Sequence, residues 1–346
     1  MSVHPPFCKI IFLTLLTSSK IFAVEASTKL IDDPVYTHAQ RLVEIEPGRR
    51  LNLYCIGKGS PTVVFDSGLT DENVTWAMVQ PVIAAHTRAC SYDRAGSGYS
   101  DPGNRPGTSA NIVDDLHRLL VAASIKPPYI LVGHSFGGMN VRLYADVYLP
   151  EVAGMVLVDS TDEDWQQMAW RLDLQQQTHA EYTDNEKDLQ SQRECIRAAS
   201  SGFIQGSELY KRCIPEPDPH LSEAINAAYL KVHLSPGYQN AQLTEFANIY
   251  HASADQLRET RRWYGDIPLI VLAATPRGPR ANESQIQRDA LNRIWAAFYD
   301  QLAALSKRGF IRTVPNSDHN IQKSQPEAVS SAILEVFKAA TEPKHE

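Results

Sequence analysis

The sequence has no excess of positive charge. Its 346 residues carry 33 lysines and arginines against 40 aspartates and glutamates, a formal net charge of −7. The cations are scattered, so there is no basic patch of the kind that neutralises a phosphate backbone, and no nucleic-acid partner is expected. There is no internal repeat and no long low-complexity segment. Gly96-Ser97-Gly98 is not followed by Gly-Lys-Ser or Gly-Lys-Thr, which removes a phosphate loop. His86, His117, His220, His233 and His251 lack the spacing of metal ligands, so neither a metal nor an organic cofactor is expected. The apolar run near the N-terminus, Ile10 to Leu16, is well short of the roughly 20 residues needed to span a bilayer as a helix.

That same run is the first feature the sequence does have. Lys9 precedes it, and Ile21-Phe22-Ala23-Val24-Glu25-Ala26 follows. A cation, a short apolar core and small residues at the end read as a secretory leader over residues 1–26, cleaved after Ala23 or Ala26. The expected location is secreted or periplasmic, with no stable membrane insertion after cleavage. Cys8 would leave with the leader. Cys55, Cys90, Cys195 and Cys213 remain, an even number that suggests two disulfides with three possible connectivities. Cys195 and Cys213 enclose a short loop in one polar region and are expected to pair. Such a bridge contributes about 3 kcal/mol by restricting the unfolded chain.

The composition, 43% hydrophobic and 21% charged, supports a large core, either one domain with an insertion or two modest domains. Tyr36 to Glu46 and Arg50 to Ile56 read as strands joined across Pro47-Gly48. Thr62 to Asp66 is a short, nearly continuous apolar run, as expected for a strand buried on both faces, and Arg88 to Tyr92, Gly154 to Asp159, Ile267 to Ala273 and Phe310 to Val314 also read as strands. Between them lie helical spacings: Val74 to Ala85, a segment capped by Thr108 or Ser109, Glu283 to Leu305, and Pro326 to Ala339. Alternating strands and helices predict a mostly parallel sheet covered on both faces. From Thr161 to Gly265 the periodicity is helical and no strong strand appears, which predicts a helical insertion between two sheet strands. Its aromatics, among them Trp165, Trp170, Tyr182, Tyr229, Tyr238, Tyr250, Trp263 and Tyr264, are expected mainly in its core, with one or two lining a pocket.

The chain is organised around Tyr129 to Gly138. An apolar run ends in Gly133-His134-Ser135-Phe136-Gly137-Gly138, and a helical segment, Met139 to Tyr148, follows at once. A strand that turns sharply into a helix holds a serine hydroxyl clear of its own backbone. Gly133 and Gly137 flank Ser135 at the spacing such a turn needs, because it leaves no room for a β-carbon. This segment resembles the nucleophile elbow of the α/β-hydrolase superfamily, and the resemblance extends over roughly residues 35–160 and 266–340.

The resemblance implies an α/β-hydrolase fold with a core over residues 27–160 and 266–346 and a helical cap over 161–265. It implies that the strands holding Cys55 and Cys90 are neighbours, which opens a second bridge there. A serine hydroxyl needs a general base, and the base an orienting acid. In the family the base follows the last core strand, which points to His319, although Asp318 stands where a glycine is usual. His134 is read as a packing or hydrogen-bonding residue. The acid usually follows the strand Ile267 to Ala273, but no acid appears there before Glu283. Some members carry it one strand earlier, which points to Asp159, with Glu283, Asp162 and Glu163 as alternatives.

The backbone N–H of Phe136 is the expected first oxyanion donor and that of Leu69 the second. Asp93 and Arg94 are read as an internal ion pair or backbone brace. The implied activity is cleavage of a carboxylic ester, with a small-molecule or lipid-like ester as partner. Epoxide hydrolases and dehalogenases on this fold use an aspartate nucleophile, and Ser135 argues against them. Peptidase, lactonase, acyltransferase or cofactor-free perhydrolase chemistry would use the same residues. A non-catalytic binding protein of this fold is the other class.

Overall fold

The computed structural model describes residues 30–165, 175–275 and 284–342. The expected leader, Trp170 and Glu283, together with the side chain of Tyr182, lie outside the described residues.

Eight strands form one sheet: β1 (Leu42–Glu46), β2 (Arg49–Ile56), β3 (Thr62–Asp66), β4 (Ala89–Tyr92), β5 (Tyr129–His134), β6 (Val152–Val158), β7 (Leu269–Thr275) and β8 (Gly309–Pro315). Their spatial order is β1-β2-β4-β3-β5-β6-β7-β8. The β1–β2 and β2–β4 pairs are antiparallel, and every pair from β4 to β8 is parallel. The chain leaves β3 for β4 on one side and returns to β5 on the other. Such a reversal opens a crevice at the carboxyl ends of the two strands, where ligands of open parallel sheets bind.

Both faces of the inner strands β3 to β7 are buried, and their alternate residues serve different cores. Tyr129 and Leu131 of β5 pack with Met155 and Leu157 of β6 against α2 (Ser109–Ala122), α3 (Phe136–Tyr148) and α9 (Gln285–Ala303). Ile130 and Val132, with Val156 and Val158, face α1 (Gln80–Ala84) and α11 (Pro326–Thr341). The apolar stripe Ile112, Leu116, Leu119 and Leu120 explains why α2 forms and where it faces, and the Thr108 hydroxyl caps its first turn.

Between β6 and β7 come only helices among the described residues: α4 (Gln175–Ser201), α5 (Glu208–Cys213), α6 (Glu223–His233), α7 (Pro236–Asn248) and α8 (Ala252–Thr260). Ala254 and Leu257 of α8 pack into the main core beside α2 and α3. A short α10 (Ile321–Ser324) precedes α11.

Both disulfides form. Cys55 and Cys90 face each other directly across the antiparallel β2–β4 pair, with Cα atoms 4.1 Å apart. Cys195 and Cys213 tie α4 to the end of α5 at 5.5 Å.

Two local readings are corrected. The N-terminal strand does not begin at Tyr36; Pro34–Thr37 is a 3₁₀ turn capped by Asp33, and β1 starts at Leu42. Proline supplies the φ of a first turn and no strand hydrogen bond, which favours the turn. Val74 to Ala85 is likewise not one helix but a 3₁₀ turn, Asn73–Trp76, followed by α1 with Pro81 in its first turn. A proline there lacks the N–H that a continuous helix would use at that point.

Candidate active site

Ser135 ends β5. It sits at φ +52° and ψ −118° and serves as the N-cap of α3. This backbone region costs about 1–3 kcal/mol for a residue with a β-carbon, and it is held by close packing of the turn. A β-carbon on Gly133 would lie 2.4 Å from the Gly137 carbonyl oxygen, and one on Gly137 would lie 2.3 Å from that of Asp66. The two glycines therefore let strand, helix and the neighbouring β3 end meet.

Register then brings a carboxylate alongside. His134 of β5 pairs with Val158 of β6, so Ser135 and Asp159 leave the sheet side by side. The Ser135 N–H donates to the Val158 carbonyl and the Asp159 N–H to that of Leu272. Asp159 also has a positive φ, +42°, and is 1% exposed. His319 comes from the loop after β8. Its Nδ1 lies 2.6 Å from Asp159 Oδ2, and its Nε2 lies 3.0 Å from Ser135 Oγ. The second oxygen of Asp159 accepts from the Tyr299 hydroxyl at 2.5 Å and from the Ala274 N–H at 3.2 Å. Carboxylate, imidazole and hydroxyl thus form a continuous hydrogen-bonded line drawn from three strand ends. The Thr161 hydroxyl sits 3.3 Å from Ser135 Oγ on another side.

The other candidate acids stand elsewhere. Glu163 is held by Arg142 at 3.0 and 2.7 Å and by Arg261. Burial works against its charge, but the two guanidiniums win and hold its carboxyl down to about 2. Asp162 accepts from the Asp164 N–H, and its other oxygen has no partner among the described residues. Burial, with Glu163 beside it, pushes this carboxyl up to about 7 from an ordinary 3.8. Between those values the folded chain keeps a proton that the unfolded chain has lost, so Asp162 lowers stability as pH rises through that window. Asp162→Asn is accordingly expected to raise the unfolding free energy at pH 8 by about 1–3 kcal/mol, with the gain shrinking toward pH 4. Urea unfolding at the two pH values checks this, and an equal gain at both would contradict it.

His134 is buried and reaches to the base's own backbone. Its Nε2 lies 2.9 Å from the His319 carbonyl, which can only accept, so Nε2 carries the proton. Burial, with His319 nearby, lowers its pKa to about 3, and the ring stays neutral.

Leu69 lies with Gly68, Ser135 and His319 on the wall of a cleft of about 760 Å³ that extends to Tyr210, Ile214 and Leu230 of the inserted helices. Gly68 passes close to the elbow, since a β-carbon placed on it would sit 3.5 Å from that of Ser135. Of the insertion aromatics, Tyr229 and Tyr238 border this cleft.

Asp93 and Arg94 are not paired with each other, but each braces backbone groups, as the other reading expected. Asp93 accepts from the Asn52 side chain and from the N–H groups of Asn73 and Tyr99. Arg94 turns the opposite way, to Asp66 and Glu245. Consecutive residues leaving a strand point to opposite sides, which separates them. Tyr299 and Glu245 were not anticipated. Both lie on helices far along the chain, and nothing in their local sequence marks them.

The profile of the alpha/beta hydrolase fold family matches residues 61–191, from β3 through the elbow into α4. The uncharacterized protein YqjL of Bacillus subtilis is 26% identical over 285 residues, covering 82% of this chain and 86% of YqjL. A thermophilic esterase from Thermogutta terrifontis superposes with a TM-score of 0.54 at 19% identity, over 87% of this chain and 98% of the esterase. The epoxide hydrolase CorEH superposes at 0.57 and 17% identity, over 86% and 97%. The sheet order, the elbow and these likenesses together give the chain the α/β-hydrolase fold.

Proposed function

We propose that this chain is an exported serine hydrolase that cleaves carboxylic esters through an acyl-enzyme on Ser135. One observation carries the reading: the unbroken line Asp159–His319–Ser135, at 2.6 and 3.0 Å. Asp159 accepts the Nδ1 proton of His319 and so leaves Nε2 free to accept another. Ser135 Oγ attacks the ester carbon as its proton passes to Nε2. The carbonyl oxygen becomes an anion and is received by the N–H groups of Phe136 and Leu69. The intermediate collapses, the C–O bond to the alcohol breaks, and His319 returns the proton to the leaving alkoxide. Water then attacks the acyl-enzyme, gives its proton to Nε2, and the acid leaves as Ser135 recovers its hydrogen. The balance is one ester and one water to one acid and one alcohol.

The insertion over 161–265 acts as a cap. Its helices supply the far wall of the cleft, so the acyl or alcohol group that fits is set there rather than at the elbow. Export is supported by the leader-like N-terminus and by two disulfides, which persist in oxidising compartments. No described helix is long and apolar enough to cross a membrane.

The test is a series of p-nitrophenyl esters of increasing acyl length. The reading predicts turnover with an optimum at one length. Release no faster than in buffer across the whole series would overturn it.

A further inference from the structure

The donor assigned to Leu69 lies on the connection between β3 and the Asn73 turn, which belongs to no strand or helix. What fixes it is a buried cluster that spans two parts of the fold. Arg94, 3% exposed, follows β4. Its Nη1 donates to the Ser67 carbonyl at 2.8 Å and to Asp66 Oδ1 at 3.0 Å. Its Nη2 donates to the Gly68 carbonyl at 2.5 Å. The same guanidinium is gripped on its other edge by Glu245 of α7, through Nε at 2.7 Å and Nη2 at 2.9 Å. Glu245 is itself 2% exposed, and its Oε2 also accepts the Thr70 N–H at 2.9 Å.

Peptide geometry gives this arrangement a direction. The Gly68 carbonyl and the Leu69 N–H belong to one planar trans peptide, so they point opposite ways. Pulling the carbonyl toward Arg94 aims the N–H away from it. The next peptide is pinned by Glu245 at its Thr70 N–H. Thr70 sits at φ +60°, a conformation that a β-branched residue adopts only when its surroundings impose it. The Arg94 guanidinium also lies 5.6 Å over the ring of Phe136, the residue of the other donor.

We propose that Glu245 is a positioning residue for the oxyanion site, acting through Arg94 and Thr70 to set the angle of the Gly68–Leu69 peptide. The inserted helices thereby control turnover as well as the shape of the cleft. This rests on the hydrolase reading above, because a misaimed N–H matters only if an oxyanion forms there.

Glu245→Gln is the first variant, since it keeps shape and removes charge. A lost oxyanion donor elsewhere costs about 10²- to 10³-fold, and a misaimed one should cost less. The expected result is kcat for a p-nitrophenyl ester lowered by about 10- to 100-fold with KM within about twofold, because the contact is made only in the transition state. Affinity for a trifluoromethyl ketone, whose adduct carries the oxyanion, should fall by the same factor. Arg94→Lys, which keeps charge but not the fork, should do likewise, and the double variant should be little worse than either single one.

Unchanged kcat and unchanged ketone affinity in both variants would overturn the proposal. So would a rise in KM at constant kcat, which would mean that Glu245 only shapes the cleft. Either result with an active wild-type enzyme leaves the hydrolase reading standing. A wild-type protein without esterase activity brings down that reading instead.

Discussion

Ser135→Ala is expected to lower kcat for ester hydrolysis by about 10⁶-fold, to the level left by binding and the oxyanion donors alone. The loss should fall on kcat, because alanine removes only the attacking oxygen. The hydroxyl is one end of a line that has no substitute at hand. Thr161 Oγ1 is 3.3 Å from Ser135 Oγ, but the His319 nitrogen that accepts the proton is aimed at Ser135. The fold should tolerate the change. Alanine at φ +52° carries the same β-carbon as serine, so the strain of the elbow is unaltered. A variant that retains more than about one part in 10³ of wild-type kcat would show that another group attacks.

Asp159→Asn is expected to cost about 10⁴-fold in kcat, and the hydrogen bonds around the carboxylate say why. Among the described residues Oδ1 accepts from the Tyr299 hydroxyl and the Ala274 N–H. An asparagine must keep its oxygen on that side, because its amide nitrogen cannot accept from either. The amide NH₂ then faces His319 Nδ1 and donates to it. Nδ1 becomes the acceptor, the ring proton moves to Nε2, and Nε2 can no longer take a proton from Ser135. The variant should fold, since shape and volume are kept, and substrate binding should change little. Near-full activity would remove Asp159 from the mechanism, and the same kinetics on Glu163→Gln and Asp162→Asn would show whether either replaces it. Neither has a contact with His319 among the described residues, and Glu163 is already committed to Arg142 and Arg261.

Much of the fold was legible because strands buried on both faces leave continuous apolar runs. Thr62–Asp66 and the run ending at His134 were readable for that reason. The segments misread were those where a proline resets the backbone locally, at Pro34 and Pro81. The family resemblance pointed to Ser135 and His319 and left Asp159 as one of four candidate acids, and the structure brings Ser135, His319 and Asp159 together. Their partners were not legible. Tyr299 reaches Asp159 across 140 residues of chain and Glu245 reaches Arg94 across 151. Each contact depends on how a helix docks, and a helix's own periodicity reports only which face is apolar. Of the two readings of Asp93 and Arg94, the backbone brace holds, at the Asn73 and Tyr99 N–H groups and the Ser67 and Gly68 carbonyls, while the mutual pair does not form, because proximity along an extended segment separates side chains.

Covalent capture tests the central claim most directly. The account predicts that a fluorophosphonate probe adds one equivalent of mass to the intact protein and that peptide mapping finds it on Ser135 alone. It also predicts that Ser135→Ala takes up none. A protein that is not labelled, or one labelled equally well after Ser135→Ala, would contradict it.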